Sequence, residues 1–502
     1  MVRNFIKQLI LNCIIVVFVQ AQSIEFDYQP NLDRLRIIPM DNHGIAIANM
    51  AAFKNEKGQV NFMISTLSPD LDNKWRTSLP YDPSFQLLKM KWSAPFLVLY
   101  FQDEKKLEHA IYTIDPETGS FGNYFFSTPA PFSFSEIVGS KNRVWITGLI
   151  RENGVILEFD LQEGRYRTLP TSFQTKVLSI ENLSWHEDEK SLTFLMRIKR
   201  NRLFTYILRT LYVETDRFED IALPETRFNL AGLKVNTTNN SVLLSGVYYR
   251  SDATNTTGIY LCSLGDSVNH KFYPWKEFEG LRHPYQVVHR SGEVKLGELR
   301  TKKSNSRLFL VESVQPENGM FTLTSKVFAQ AYRSKNLSER DLERQDRNNR
   351  INRNFGGRYF FTYPQGFNPA QYYSATELLE ARYMDFLINQ LVSEGLDYEF
   401  THLAQFDDDL NLLSSASVAF PGQKNAALTN NVFSVEGGAF CYPGDSEMMC
   451  LSMTGENVAD WKINATSYPF QRIEFHQSLG VGRYLIAGPG TKENLYRIQI
   501  TF

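Results

Sequence analysis

His186-Glu-Asp-Glu-Lys190 opens in the way a zinc-protease helix motif opens. That chemistry needs two imidazoles one helical turn apart, with the glutamate as general base. Lys190 stands where the second imidazole is required, so the segment is expected to be a charged turn between strands. Asp407-Asp-Asp-Leu-Asn411 offers side-chain oxygens at alternating positions, as a calcium loop does. An EF-hand loop also needs glycine at its sixth position and glutamate at its twelfth. Leu412 and Val418 occupy those positions, which excludes the EF-hand. A polar turn remains, or a calcium loop of another kind, because clustered carboxylates repel without a cation. His283 and His289 bracket a strand-like run and, six residues apart, point to one face. Two imidazoles without a third ligand make a poor zinc site, so they are read as polar strand residues that could line a channel. There is no Gly-x-Ser-x-Gly elbow, no phosphate-binding Gly-Lys-Ser/Thr loop and no Gly-x-Gly-x-x-Gly opening a helix. No catalytic residue, cofactor ligand or metal ligand is therefore assigned from sequence.

The elements that would position any site form a recurring unit. An apolar run leads into an acidic or glycine turn, then a short run and a proline-containing connection. It is seen at Phe62–Trp75, Ala110–Gly119, Val155–Gly164, Leu211–Asp216 and Ile259–Gly265, and again at Cys450–Gly455 and Leu495–Ile500. The runs centre on residues 64, 112, 158, 211 and 260. That spacing of roughly 50 residues suits a four-stranded propeller blade, whose two apolar faces are covered by stacking neighbours. Arg143–Ile150, Leu192–Ile198 and Ser241–Tyr249 read as further strands. The expected fold is all-β, a β-propeller of about seven to eight four-stranded blades spanning residues 22–502. Leu495–Thr501 is expected to pair with N-terminal strands.

Two stretches interrupt the pattern. Ser374-Ala-Thr-Glu377 resembles a helix capping box ahead of Leu378–Val392. The repeat favours strands there, because Phe386–Leu391 and Thr401-His-Leu403 parallel Phe62–Leu67 and Thr77-Ser-Leu79. Residues 332–358 carry Arg340, Arg344, Arg347, Arg350 and Arg353 with few apolar residues, and read as an exposed polar insertion. Glu339, Asp341, Glu343 and Asp346 alternate with those arginines, and aromatic residues for base stacking are missing. With a net charge of −2, nothing argues for a nucleic-acid partner.

Arg3 and Lys7 precede the apolar run Leu9–Val19, and Val19-Gln20-Ala21 follows. This is the pattern of a secretory signal peptide, residues 1–21, cut after Ala21. The run is too short for a stable membrane span, so the mature chain is expected to be secreted, periplasmic or held in the cell envelope. That compartment permits disulfides. Cys441 and Cys450 flank Tyr-Pro-Gly-Asp-Ser and are expected to face each other across a hairpin and bridge, while Cys262 is expected to be a buried thiol. Asn-x-Ser/Thr sequons occur at Asn182, Asn236, Asn239, Asn255, Asn336 and Asn464.

Ile114-Asp-Pro-Glu-Thr-Gly119 resembles the quinoprotein-like (PQQ-type) propeller repeat at Asp115, Thr118 and Gly119, with Asn123 where that repeat has tryptophan. Ser68-Pro-Asp70 with Trp75 has the Ser, Asp and Trp spacing of the Asp-box turn of sialidase-type propellers, with Asp72 and Lys74 at the Gly and Thr positions. The whole pattern is similar to secreted propeller proteins of Bacteroidota whose function is unknown. The resemblance implies a propeller outside the cytoplasm. It carries over no catalytic residue, and without adjacent cysteines it implies no bound quinone. The function expected is a non-catalytic binding or scaffold propeller whose partner is an unspecified protein or glycan. The alternative is an extracellular enzyme on polymers, a glycosidase or lyase, with its site at the channel mouth.

Overall fold

The computed structural model describes most of residues 22–329 and 397–501, apart from short connections. Residues 1–21 and 330–396 lie outside the described part. They include the segments read from sequence as a signal peptide, as the 332–358 insertion and as the strand Phe386–Leu391. His283 and His289 are also outside it, although the run between them is a strand, Tyr285–Val287.

The described residues form eight sheets built on one plan. Taken in chain order they are residues 35–81, 85–127, 132–169, 177–222 and 229–274, then 307–329 with 397–419, then 433–467, and last 475–501 with 22–27. Seven are four-stranded and antiparallel, and the sixth keeps the same four antiparallel strands with two more at its edge. This is the blade plan, and the fold is an all-β propeller type. Every run centre read from the sequence lies on a third strand of a sheet: 64, 112, 158, 211 and 260 fall in Val60–Leu67, Glu108–Ile114, Asn153–Asp160, Leu203–Tyr212 and Gly258–Leu264.

Burial explains the composition of each strand. Second and third strands are sandwiched, so Arg143–Ile150 has six of its eight residues buried and reads as a continuous apolar run. Fourth strands are covered on one face only. Phe121–Ser127 alternates exposed and half-buried residues along its whole length.

The chain divides into two compact units. The first comprises residues 1–80 and 430–502 and holds the first, seventh and eighth sheets. Gln22–Asp27 pairs antiparallel with Leu495–Thr501 as the outer strand of the eighth sheet, the pairing expected for the last strand. Its core packs Ile45, Ile47 and Leu67 against Leu485, Ile498 and Ile500.

The second unit, residues 81–429, holds the second to sixth sheets. One apolar layer separates each neighbouring pair: Val98 and Ile111 meet Ile146 and Phe159, Trp145 and Ile156 meet Phe194 and Met196, and Leu195 and Leu208 meet Leu244 and Tyr260. Ile259 and Leu261 then meet Leu323 and Phe400. The sixth sheet departs from the plan at its outer edge. Tyr285–Val287 pairs parallel to Leu412–Ala419 and carries Val294–Leu296 beyond it. The third strand of this sheet is Asp397–Asp407, which corrects the sequence alignment that set Thr401-His-Leu403 against the fourth-strand residues Thr77-Ser-Leu79.

Candidate functional site

Two buried histidines lie in the second unit, and strand register decides what each one meets. His109 is fully buried on the third strand of the second sheet. Its Nδ1 lies 2.8 Å from the Tyr100 hydroxyl and its Nε2 3.0 Å from Thr128 Oγ1. Thr128 donates its own hydrogen to the Ala130 carbonyl at 2.9 Å, so it accepts from Nε2–H, and Nδ1 accepts from Tyr100. One neutral tautomer satisfies every bond. Burial, partly countered by the Asp103 carboxylate, pushes the imidazole down to about 4.

His402 sits in the sixth sheet between two serines. Register sets Ser325 opposite it on one neighbouring strand and Ser417 on the other, so three side chains share a face. All three residues are fully buried. His402 Nδ1 is 2.9 Å from Ser417 Oγ, and the ring also bonds the Ala416 backbone. The edge of Phe278 closes over the ring at 5.0 Å. Burial pushes this imidazole down to about 3.

A third set joins first strands of successive sheets. In the second to sixth sheets, every first strand carries a bulge. Asn182 and Gly232 take equivalent left-handed places there, with φ of 53° and 60°. Each is followed by a buried leucine, Leu183 or Leu233. Glu136 accepts the Leu183 N–H at 2.9 Å and faces Lys91 Nζ at 3.5 Å. Asn182 Nδ2 donates to the Leu233 carbonyl at 2.7 Å, so this sequon amide serves as a sheet-to-sheet link. The chain Lys91–Glu136–Leu183 and Asn182–Leu233 spans four sheets.

The turns from third to fourth strands show two chemistries. Asp115 and Asp160 each accept two backbone N–H groups from the next turn residues, and Gly119 and Gly164 close the turn at φ 72° and 66°. Ser68–Asp72 and Asp407–Asn411 form the other kind. The first side chain accepts the fifth residue's N–H, and Leu71 or Leu410 takes φ near 60° with its side chain buried. The second kind docks on a neighbour in the second unit: Asn269 donates to the Asp409 carbonyl at 3.2 Å, and Tyr273 donates to the Leu410 carbonyl. Arg167 makes a comparable link by reaching Asp216 at 3.2 Å while holding the buried Glu158 at 2.8 Å. Glu158 also accepts Trp145 Nε1 at 2.9 Å.

These contacts place the residues singled out from sequence. His186–Lys190 is a turn in which Glu187 accepts Trp185 Nε1 and pairs with Lys190, as the missing imidazole implied. Asp407 is spent on Asn411, through its N–H at 2.6 Å and its Nδ2 at 2.8 Å, and those bonds hold its carboxyl below the usual range. Among the described residues, no three metal-ligating side chains come together. Ser68 caps its own turn by accepting the Asp70 and Asp72 N–H groups. Cys262 is buried beside Tyr260, and burial pushes its thiol up to about 11. Cys441 and Cys450 are directly opposed in the register of Ala439–Pro443 and Glu447–Ser452. Sequence reasoning missed His109, His402 and the bulge links. The available signal was a lone histidine inside an apolar third strand, in Ala110-Ile-Tyr-Thr-Ile114 and Leu403-Ala404 contexts.

No protein-family model and no curated protein matches the chain. Among solved structures it is similar to the Dos1 propeller, at 10% identity and a TM-score of 0.42 over 95% of this chain and 94% of that one. Cobalt-substituted Synechocystis ACO gives 6% identity and a TM-score of 0.32, and an ACO/RPE65 chimera 7% and 0.33. Those alignments cover 48% of this chain and 63% of each oxygenase-type chain, under two thirds of their length. Likeness at that distance carries no argument about what this chain does.

Proposed function

We propose that the chain is a secreted, non-catalytic binding or scaffold propeller that takes a protein or glycan on its turn-bearing surfaces. One observation supports this reading above the others. In the second to fifth sheets the buried His109 and Glu158 and the bulge-linking Glu136 are spent on joining strands and sheets. Meanwhile Glu117, Glu163, Glu214, Asp408 and Asp409 stand exposed on turns at one end of their sheets. A meander puts its first and third turns at the same end, so Glu187, Asp188 and Glu189 join that end in the fourth sheet. Rigid frames with loops at one end are how folds of this kind present recognition surfaces.

Secretion belongs to the same reading, supported by Arg3, Lys7 and the apolar run before Ala21. No helix among the described residues is long and apolar enough to cross a membrane. A Cys441–Cys450 bridge is part of it too, supported by their opposed register, which sets Cα atoms about 4.5–5.5 Å apart, within the span a disulfide needs. The quinoprotein-like repeat enters as blade architecture, carried by the Asp115 turn. The test is binding of the mature protein to arrays of glycans and of secreted proteins, with polysaccharide turnover assayed in parallel. Saturable binding without turnover is expected, and turnover of any polymer would overturn the reading.

A further inference from the structure

We propose that the layer between the fifth and sixth sheets holds one internal water molecule, bound between Ser325 and His402. These two residues are register partners, so their side chains leave the sheet on one face. Both are fully buried, and among the described residues neither Ser325 Oγ nor His402 Nε2 has a hydrogen-bond partner. The ring's Nδ1 is already engaged with Ser417 Oγ at 2.9 Å, which leaves Nε2 to be satisfied. Ser245 presents a third such hydroxyl. It lies between Leu243 and Val247, both in the core of the same layer, so it faces that layer from the fifth sheet. Leu323, Phe400, Phe278 and Leu281 supply the apolar part of the same layer. A water that bonds Nε2 and the serine hydroxyls makes the two to four contacts typical of buried water.

A crystal structure of the full chain that resolves ordered solvent tests this. One peak is expected within about 3.2 Å of both Ser325 Oγ and His402 Nε2. Direct donation from Ser325 to Nε2, or close apolar packing between them, would overturn the proposal. Ser325→Val puts a methyl where the hydroxyl stands and is expected to lower the number of long-lived internal waters, counted by magnetic relaxation dispersion, by one. An unchanged number also overturns it.

A separate observation supports a modification site, and it rests on the signal-peptide reading. The first described strand begins at Gln22, the residue that cleavage after Ala21 exposes. This strand is the outer one of its sheet, fixed by Arg497 to Glu25 at 2.8 Å and to Ser23 at 2.9 Å. We infer that Gln22 becomes pyroglutamate. Its freed α-amine attacks its own side-chain carboxamide carbon. A lactam C–N bond forms, the carboxamide C–N bond breaks, and ammonia leaves with no redox change. The strand then starts with a neutral amide opposite buried Ile500 in place of an ammonium. Mass spectrometry of the secreted protein's N-terminal peptide is the test. A peptide starting at residue 22 and lighter by one ammonia is expected. Intact Gln22 would overturn the modification and leave the cleavage reading standing, whereas a different N-terminus would overturn both.

Discussion

Acidification should unfold this protein through its buried imidazoles, and His109 allows the effect to be isolated. Burial sets its pKa at about 4 in the folded chain, against an unfolded histidine value of about 6.5. Above pH 6.5 both states are neutral there and the group contributes nothing to pH dependence. Below it the unfolded chain binds the proton first, so stability falls with pH until the folded ring titrates near 4. Linkage over that window gives a loss of about 2 kcal/mol by pH 5 and about 3 kcal/mol in total. His402, pushed down to about 3, adds a further 2 kcal/mol or so by pH 5. The clean perturbation is His109→Gln, whose amide oxygen can accept from Tyr100 and whose NH2 can donate to Thr128 without titrating. Urea unfolding of wild type and variant, at neutral pH and at about pH 5, gives a difference of differences in which all other groups cancel. The variant should lose about 2 kcal/mol less than wild type over that interval. An equal loss in both proteins would refute the account of His109 as a buried neutral strut.

Glu136→Ala leaves the Leu183 N–H without its acceptor and should cost about 1–3 kcal/mol, while Glu136→Gln keeps an acceptor and should cost about 1 kcal/mol or less, both read as thermal midpoints. Gly258→Ala sets a Cβ 2.0 Å from the Tyr273 carbonyl oxygen and 2.8 Å from Pro274 Cα, so it should destabilise by about 2 kcal/mol or more. Asp407→Ala removes the bonds that hold Asn411 and should cost about 1–2 kcal/mol, with faster amide exchange at Leu410 and Asn411 than in wild type. Thiol titration of the denatured mature protein should find one free thiol, Cys262, and a count of three would reject the Cys441–Cys450 bridge.

The blade plan was legible because burial writes it into the chain. Third strands are covered on both faces, so Ile111-Tyr-Thr-Ile114 and Leu157-Glu-Phe159 stand out as apolar runs, and Asp with Gly marks the turn that follows. The sixth sheet shows where that signal fails. Matching apolar strings aligned Thr401–Leu403 with a fourth strand, whereas the true equivalence lies in the turn: Asp407 caps Asn411 as Ser68 caps Asp72. Two different residue types do the same work there, so string matching passes over them. The bulge links were illegible for a related reason. Glu136 and Leu183 are 47 residues apart, and nothing local to either marks the bulge that brings them together. His402 acquires its meaning only from register, which sets serines on both sides of it.

The eighth sheet has a kinetic consequence. Its outer strand is Gln22–Asp27 and its other three come from residues 475–501, and Arg497 holds Glu25 across 472 positions. At ribosomal rates of about 5–20 residues per second, Gln22–Asp27 waits roughly 25–95 s for its partner to be made. During that interval it is an unpaired strand edge exposed to other chains. The second unit, continuous in sequence, can fold while the first is still missing more than half its strands. Whatever shields residues 22–27 in the nascent chain therefore bears on the yield of folded protein.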